Sequence, residues 1–145
     1  MTAASAIAVA LSFLWLGMVL AISFIEAPLK FRAPGVTLQI GLGIGRLVFR
    51  ALNTVEVVLA AAVTIALLST DPPATALIAV VLAAVVLAAQ LTVVRPQLTK
   101  RSDAVLASGP EAAQLPRSRA HYVYIALELV KVVSLTVAGT ALLLG

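Results

Sequence analysis

The sequence predicts an all-α integral membrane protein, a single four-helix bundle. Three observations carry that prediction. Of 145 residues, 62% are hydrophobic and 11% charged, against roughly a quarter charged in an ordinary soluble domain. Mean hydropathy is +1.13. The apolar residues fall into four uninterrupted runs of about 20, the length that crosses a bilayer. Ten basic and six acidic side chains are too few to coat a 14.9 kDa globule, so lipid replaces water around it. Cysteine is absent, which removes disulfides, thiolate metal sites and cysteine nucleophiles together.

The first span, 5–27, has no Lys or Arg before Lys30 and is about twice as long as the core of a cleavable leader, so it is read as a retained helix. It runs into Glu26-Ala-Pro-Leu-Lys-Phe-Arg32, where Pro28 marks its end or a kink. Gly41-Leu-Gly-Ile-Gly45 then leads to the second span, 47–68. Three alternating glycines invite a phosphate-loop reading, but no strand precedes them and the spacing is wrong. Gly41 and Gly45 read instead as a small-xxx-small face for close helix approach. Ser69-Thr-Asp-Pro-Pro73 is a short turn whose prolines continue neither helix, so the third span, 74–94, forms a tight hairpin with the second. Residues 96–120 read as a loop, beginning with a short extension of the third helix and broken by Ser108-Gly-Pro110 and Pro116. The fourth span is 122–144.

Nine of the ten basic residues, Lys30, Arg32, Arg46, Arg50, Arg95, Lys100, Arg101, Arg117 and Arg119, fall in the first and third connections or at their helix junctions. Cytoplasmic loops hold the excess of Lys and Arg. Both long connections are therefore expected in the cytoplasm, and both termini outside, in a multi-pass protein of the cell (inner) membrane. The interfacial arginines are expected to meet anionic lipid headgroups. Although the pI is about 10.1, this placement excludes a nucleic-acid surface.

The tenth basic residue, Lys131, lies inside a span. Shifting the chain by 75 sets Phe49-Arg-Ala-Leu-Asn-Thr-Val-Glu-Val-Val58 over Tyr124-Ile-Ala-Leu-Glu-Leu-Val-Lys-Val-Val133, with five of ten positions identical. This raises a parallel two-helix internal repeat. It also places Glu56 opposite Lys131 and Asn53 opposite Glu128, roughly 14 Å from the boundary. Ionisable groups at that depth cost roughly 2.5–3.5 kcal/mol each, so they are expected to face the interior and find partners. Arg50, Asn53 and Glu56 share a face of helix two; His121, Tyr124, Glu128 and Lys131 share one of helix four. Glu26, Lys30 and Gln90 complete the candidate ligand-binding set, a ring around a polar cavity that opens toward the cytoplasm. Trp15 and Tyr122 read as ordinary span aromatics. A hard cation held by His121, Glu128, Glu56 and Glu26 lacks ligand spacing, so no metal or cofactor is expected.

Trp15-Leu-Gly-Met, Glu26-Ala-Pro-Leu-Lys-Phe31, Gly45-Arg-Leu-Val-Phe49 and the segment from His121 to Lys131 give the chain a layout that resembles small four-span bacterial membrane proteins of a domain-of-unknown-function family. Those proteins are distantly similar to transmembrane protein 205. The resemblance implies the four-span fold and carries no catalytic residues. Three functions compete. The first is a protein whose buried Glu/Lys/Asn cluster binds or conducts a small polar ligand, a proton or a lipid headgroup, with transport calling for a homodimer because four helices enclose little volume. The second is an auxiliary subunit packing on a larger membrane complex through Ala79, Ala83, Ala88 and Ala89. The third is an intramembrane enzyme acting on a lipid or hydrophobic cofactor, with His121, Tyr124 or Glu128 as acid or base.

Overall fold

A computed structural model describes residues 1–109 and 119–145; Pro110, Pro116 and Arg117 lie outside the described residues. Four helices are long and apolar enough to cross a membrane: α1 Ala3–Arg32, α2 Leu38–Leu68, α3 Ala74–Ser108 and α4 Arg119–Leu144. No strand occurs among the described residues. The protein is thus all-helical, with the composition and helix lengths of a multi-pass membrane protein.

Each helix overruns its apolar segment for a local reason. The Thr2 hydroxyl caps α1 by accepting from the Ser5 N–H at 3.1 Å. The Thr37 hydroxyl accepts from the Ile40 N–H at 3.2 Å, so α2 starts well before the apolar run that opens at Leu47. α3 continues through the polar stretch after Val94 until Gly109, whose φ of 73° lies where side-chain-bearing residues rarely go. At 1.5 Å per residue, helices of 26 to 35 residues extend about 39–53 Å, beyond a hydrocarbon layer of about 30 Å.

The two membrane prolines do not stop their helices. α1 widens into a π-helical stretch over Leu20–Glu26 just before Pro28, and α3 does so over Gln90–Val94 just before Pro96. Proline brings no N–H and crowds the carbonyl four residues back. A wide turn changes the bonding register there and lets the chain continue as helix, which lipid requires of exposed backbone. The disturbance therefore sits upstream of Pro28, and α1 carries on to Arg32.

α1 packs on α2 and α4, while α3 packs extensively on α4 and more sparsely on α2. The helices follow chain order around the bundle, so α2 and α4 face each other across its diagonal. Toward the termini and the 69–73 turn, Ala8, Val63, Ala66, Leu67, Ala76, Val80, Ala138 and Leu142 fill the interior. Below them, Trp15, Val19, Leu59, Ala83, Leu87 and Leu135 form a second apolar layer. Ala79 and Ala83 are buried here, so these two of the four small residues read as a partner surface serve internal packing instead. At Gly41 and Gly45 it is the end of α1 that comes close, its Phe31 ring and Lys30 amine taking the room the glycines leave.

Gly139 is a point of enforced closeness, since a Cβ there would lie 2.7 Å from Cζ of Phe13 on α1. Gly139→Val is expected to cost about 1–3 kcal/mol by overpacking. Gly17, where an added Cβ would meet nothing within 4 Å, accepts Ala with a gain of up to about 1 kcal/mol. Melting curves of the two purified variants in detergent should move in opposite directions.

Candidate functional site

The interior polar groups are placed by helical spacing. Asn53 and Glu56 on α2, Gln90 at the head of the wide turn in α3, and Tyr124, Glu128 and Lys131 on α4 are all buried. Lys131 is 0% exposed and lies at the centre. Its ammonium has three hydrogens and meets three acceptors: Glu56 Oε1 at 2.6 Å, Gln90 Oε1 at 2.7 Å and Glu128 Oε1 at 2.9 Å. The Gln90 amide nitrogen donates to Glu128 Oε1 at 2.7 Å, so the carboxamide bridges the ammonium and a carboxylate. The Trp15 indole N–H donates to Glu56 Oε1 at 2.8 Å. Side chains of all four helices thus join one network, and the Glu56–Lys131 contact spans the α2–α4 diagonal.

Not every polar atom in this core is used. Glu56 Oε2, Asn53 Oδ1, Glu128 Oε2 and Tyr124 Oη are buried without a hydrogen-bond partner. They form two sets: Asn53 and Glu56 are three residues apart on α2, and Tyr124 and Glu128 four apart on α4, so each pair shares a helix face.

The structure brings Glu56, Gln90, Glu128 and Lys131 into contact, buries Asn53 and Tyr124 one helical turn from Glu56 and Glu128, and places the other four candidates elsewhere. Glu26 pairs with Lys30 at 3.4 Å one turn along α1, at the basic end of the bundle. Lys30 lies in the notch left by Gly45, with its amine 5.6 Å from the centres of both the Phe31 and Phe49 rings. Those favourable local partners hold it away from the central ring. His121 is half-buried, ten residues before Lys131 and about 15 Å along the axis, with its ring against Tyr122. Glu26 and His121 therefore do not join Glu56 and Glu128, and no three of His, Asp or Glu gather around a metal-sized space among the described residues. Arg50 is exposed and helps line a cavity of about 310 Å³ between α2 and α3, together with Asn53, Thr54, Val57, Leu91, Arg95 and Thr99. Arg46, one turn earlier, bonds to Asp103 and to the Thr99 carbonyl on the extended end of α3.

Two members are not singled out by the sequence. Trp15, read as an ordinary span aromatic, is completely buried and binds Glu56. An indole N–H in a dry interior needs an acceptor, and the one tryptophan in a chain with a mid-span glutamate is the signal that points to it. Phe49 is the second. Its ring meets the Tyr124 ring edge-on at 5.7 Å and carries the Arg95 guanidinium at 5.4 Å as well as Lys30. It joins the ends of the other three helices to α2. Compared with protein-family models, with curated proteins and with solved structures, the chain finds no match.

Removing the central ammonium leaves two buried carboxylates without their cation. Lys131→Met is expected to cost about 3–5 kcal/mol, and Trp15→Phe about 1–3 kcal/mol through the lost indole hydrogen bond and the space the smaller ring leaves, Glu56 Oε1 keeping its bond from Lys131. Combining Lys131→Met with Glu56→Gln and Glu128→Gln removes every ionisable group in contact with the amine and should recover most of the loss. Unfolding of the detergent-solubilised variants by chaotrope measures each value.

Proposed function

We propose that this is a multi-pass membrane protein whose buried Glu/Lys cluster binds one exchangeable proton at Glu56, with access from the basic end of the bundle only. The observation that carries the proposal is the accounting at Lys131: two carboxylates share a single ammonium whose hydrogens are all taken, and one oxygen of each carboxylate is left buried without a partner. Two ionised carboxylates against one ammonium leave a net negative charge in a medium that tolerates it poorly. On α4 the Tyr124 hydroxyl carries a hydrogen that suits the unpartnered Glu128 oxygen. On α2, Glu56 Oε2 and Asn53 Oδ1 are both acceptors without a donor, and a proton on Glu56 turns its free oxygen into a donor. Intramembrane carboxylates of this kind commonly mark proton or ligand pathways.

The two apolar layers above the network support binding over conduction. Trp15, Val19, Leu59, Val63 and Leu135 close the interior toward the termini with exposures of 0 to 6%. Asn53, by contrast, reaches the cavity that Arg50 and Arg95 share at the other end. The clustering of Lys30, Arg32, Arg46, Arg50, Arg95, Lys100, Arg101 and Arg119 at that end supports a cytoplasmic placement for it and an outside placement for both termini. The wide turn before a proline in both α1 and α3, together with the meeting of Glu56 and Lys131, supports descent from a duplicated two-helix unit.

Infrared difference spectra of the purified protein between neutral and alkaline pH test the proton. The expected result is a protonated-carboxyl C=O band in the wild type that Glu56→Gln abolishes and Glu128→Gln keeps. A wild type without that band at neutral pH, or a band that survives Glu56→Gln, defeats the proposal.

A further inference from the structure

The seam between α2 and α3 holds a second arrangement, built around two arginines that take no part in the proton site. Among the described residues, the acidic partners are distributed to Lys30, Arg46 and Lys131, and neither Arg50 nor Arg95 has a carboxylate within ion-pair distance. Both residues line the same cavity of about 310 Å³, and the Arg95 guanidinium also lies 5.4 Å from the centre of the Phe49 ring. The Thr99 hydroxyl sits beside them, and Thr54, whose hydroxyl donates to the Arg50 carbonyl at 2.9 Å, borders the same space. Two arginines without carboxylate partners bordering one space, with a hydroxyl alongside, have the chemistry of a phosphate site.

Val57 and Leu91 form the inner edge of this cavity, and a second cavity of about 480 Å³ follows along the same seam, bordered by Thr64, Val81, Ala84 and Ala88 among others. Val57 and Thr64 are seven residues apart on α2, about 10 Å along the axis, and Leu91 and Ala88 lie within one turn of each other on α3. The sparse packing of α2 on α3 leaves this furrow between them. A basic cavity toward one end of the seam thus lies in line with an apolar trough that reaches the 69–73 turn.

We infer that the α2–α3 seam binds one anionic phospholipid, its phosphate between Arg50 and Arg95 and an acyl chain in the trough past Leu91 and Ala84. A free phosphate fits the basic half alone and leaves the trough without an occupant, so the lipid accounts for both halves.

The full chain, purified in a neutral detergent and offered phosphatidylglycerol or phosphatidylcholine with the same acyl chains, tests this by native mass spectrometry. Both lipids carry a phosphodiester, but the choline cation faces the arginines. The expected result is at least ~tenfold stronger retention of phosphatidylglycerol, lost by ~tenfold in Arg50→Gln and in Arg95→Gln. Arg50→Gln changes an exposed side chain, and its unchanged melting curve separates lost binding from lost folding. Ala84→Phe should weaken lipid retention by filling the trough, while leaving the binding of glycerol 3-phosphate unchanged. Equal retention of the two lipids, or an Arg50→Gln protein that behaves as wild type, overturns the site. Glycerol 3-phosphate competing as strongly as the whole lipid overturns the acyl half of it.

Discussion

The bundle depends on one buried amine. Lys131 sits where water does not reach, and its tetrahedral ammonium directs hydrogens to Glu56 on α2, Gln90 on α3 and Glu128 on its own helix. In lipid the hydrophobic effect gives helices little reason to prefer each other over acyl chains, so packing and polar contacts decide how they associate. The amine supplies the polar contacts, and the cost of its desolvation makes the arrangement specific. A rotation of α2 or α3 that presented Glu56 or Gln90 to lipid would strand charge. Trp15 extends the same constraint to α1.

Around that centre the interior divides along the membrane normal. Small and branched apolar residues fill the half toward the termini; the polar network lies in the middle; and the basic end is organised around Phe49, which two cations and a tyrosine ring surround. Side-chain length decides much of this. Lys30 and Arg95 have long stems that settle onto an aromatic face near the boundary, whereas Lys131 is far from either boundary and has only carboxylates and an amide to meet. The same residue type thus plays an interfacial part on α1 and a central one on α4.

The architecture is legible in the sequence because lipid imposes simple rules. Apolar runs of membrane length, a Pro-Pro turn and a mid-span Glu and Lys at equivalent depths point to four helices with a shared polar centre, and Glu56 does meet Lys131. What composition and spacing do not convey is side-chain direction at helix ends. Glu26 and Lys30 have the right chemistry for the central ring, but one turn of helix separates them from each other and a glycine notch receives the amine first. Arg50 is on the face expected to turn inward yet opens onto the α2–α3 seam, because the wide turn in α3 and the sparse packing there leave space beside it. Trp15 is hidden from such reasoning since an aromatic residue in an apolar run has many uses, and only the position of its acceptor reveals which one applies.

Chain order gives the diagonal ion pair a consequence for biosynthesis. α4 brings both Lys131 and Glu128, and it is the last of the four helices to leave the ribosome. Until then Glu56, Gln90 and the Trp15 indole are in the membrane without the amine that gathers them, and the three-helix intermediate must shelter a carboxylate from lipid by other means. The last span of the chain thus completes a polar centre that the first three only prepare, since both the acid of α2 and the amide of α3 find their cation on α4.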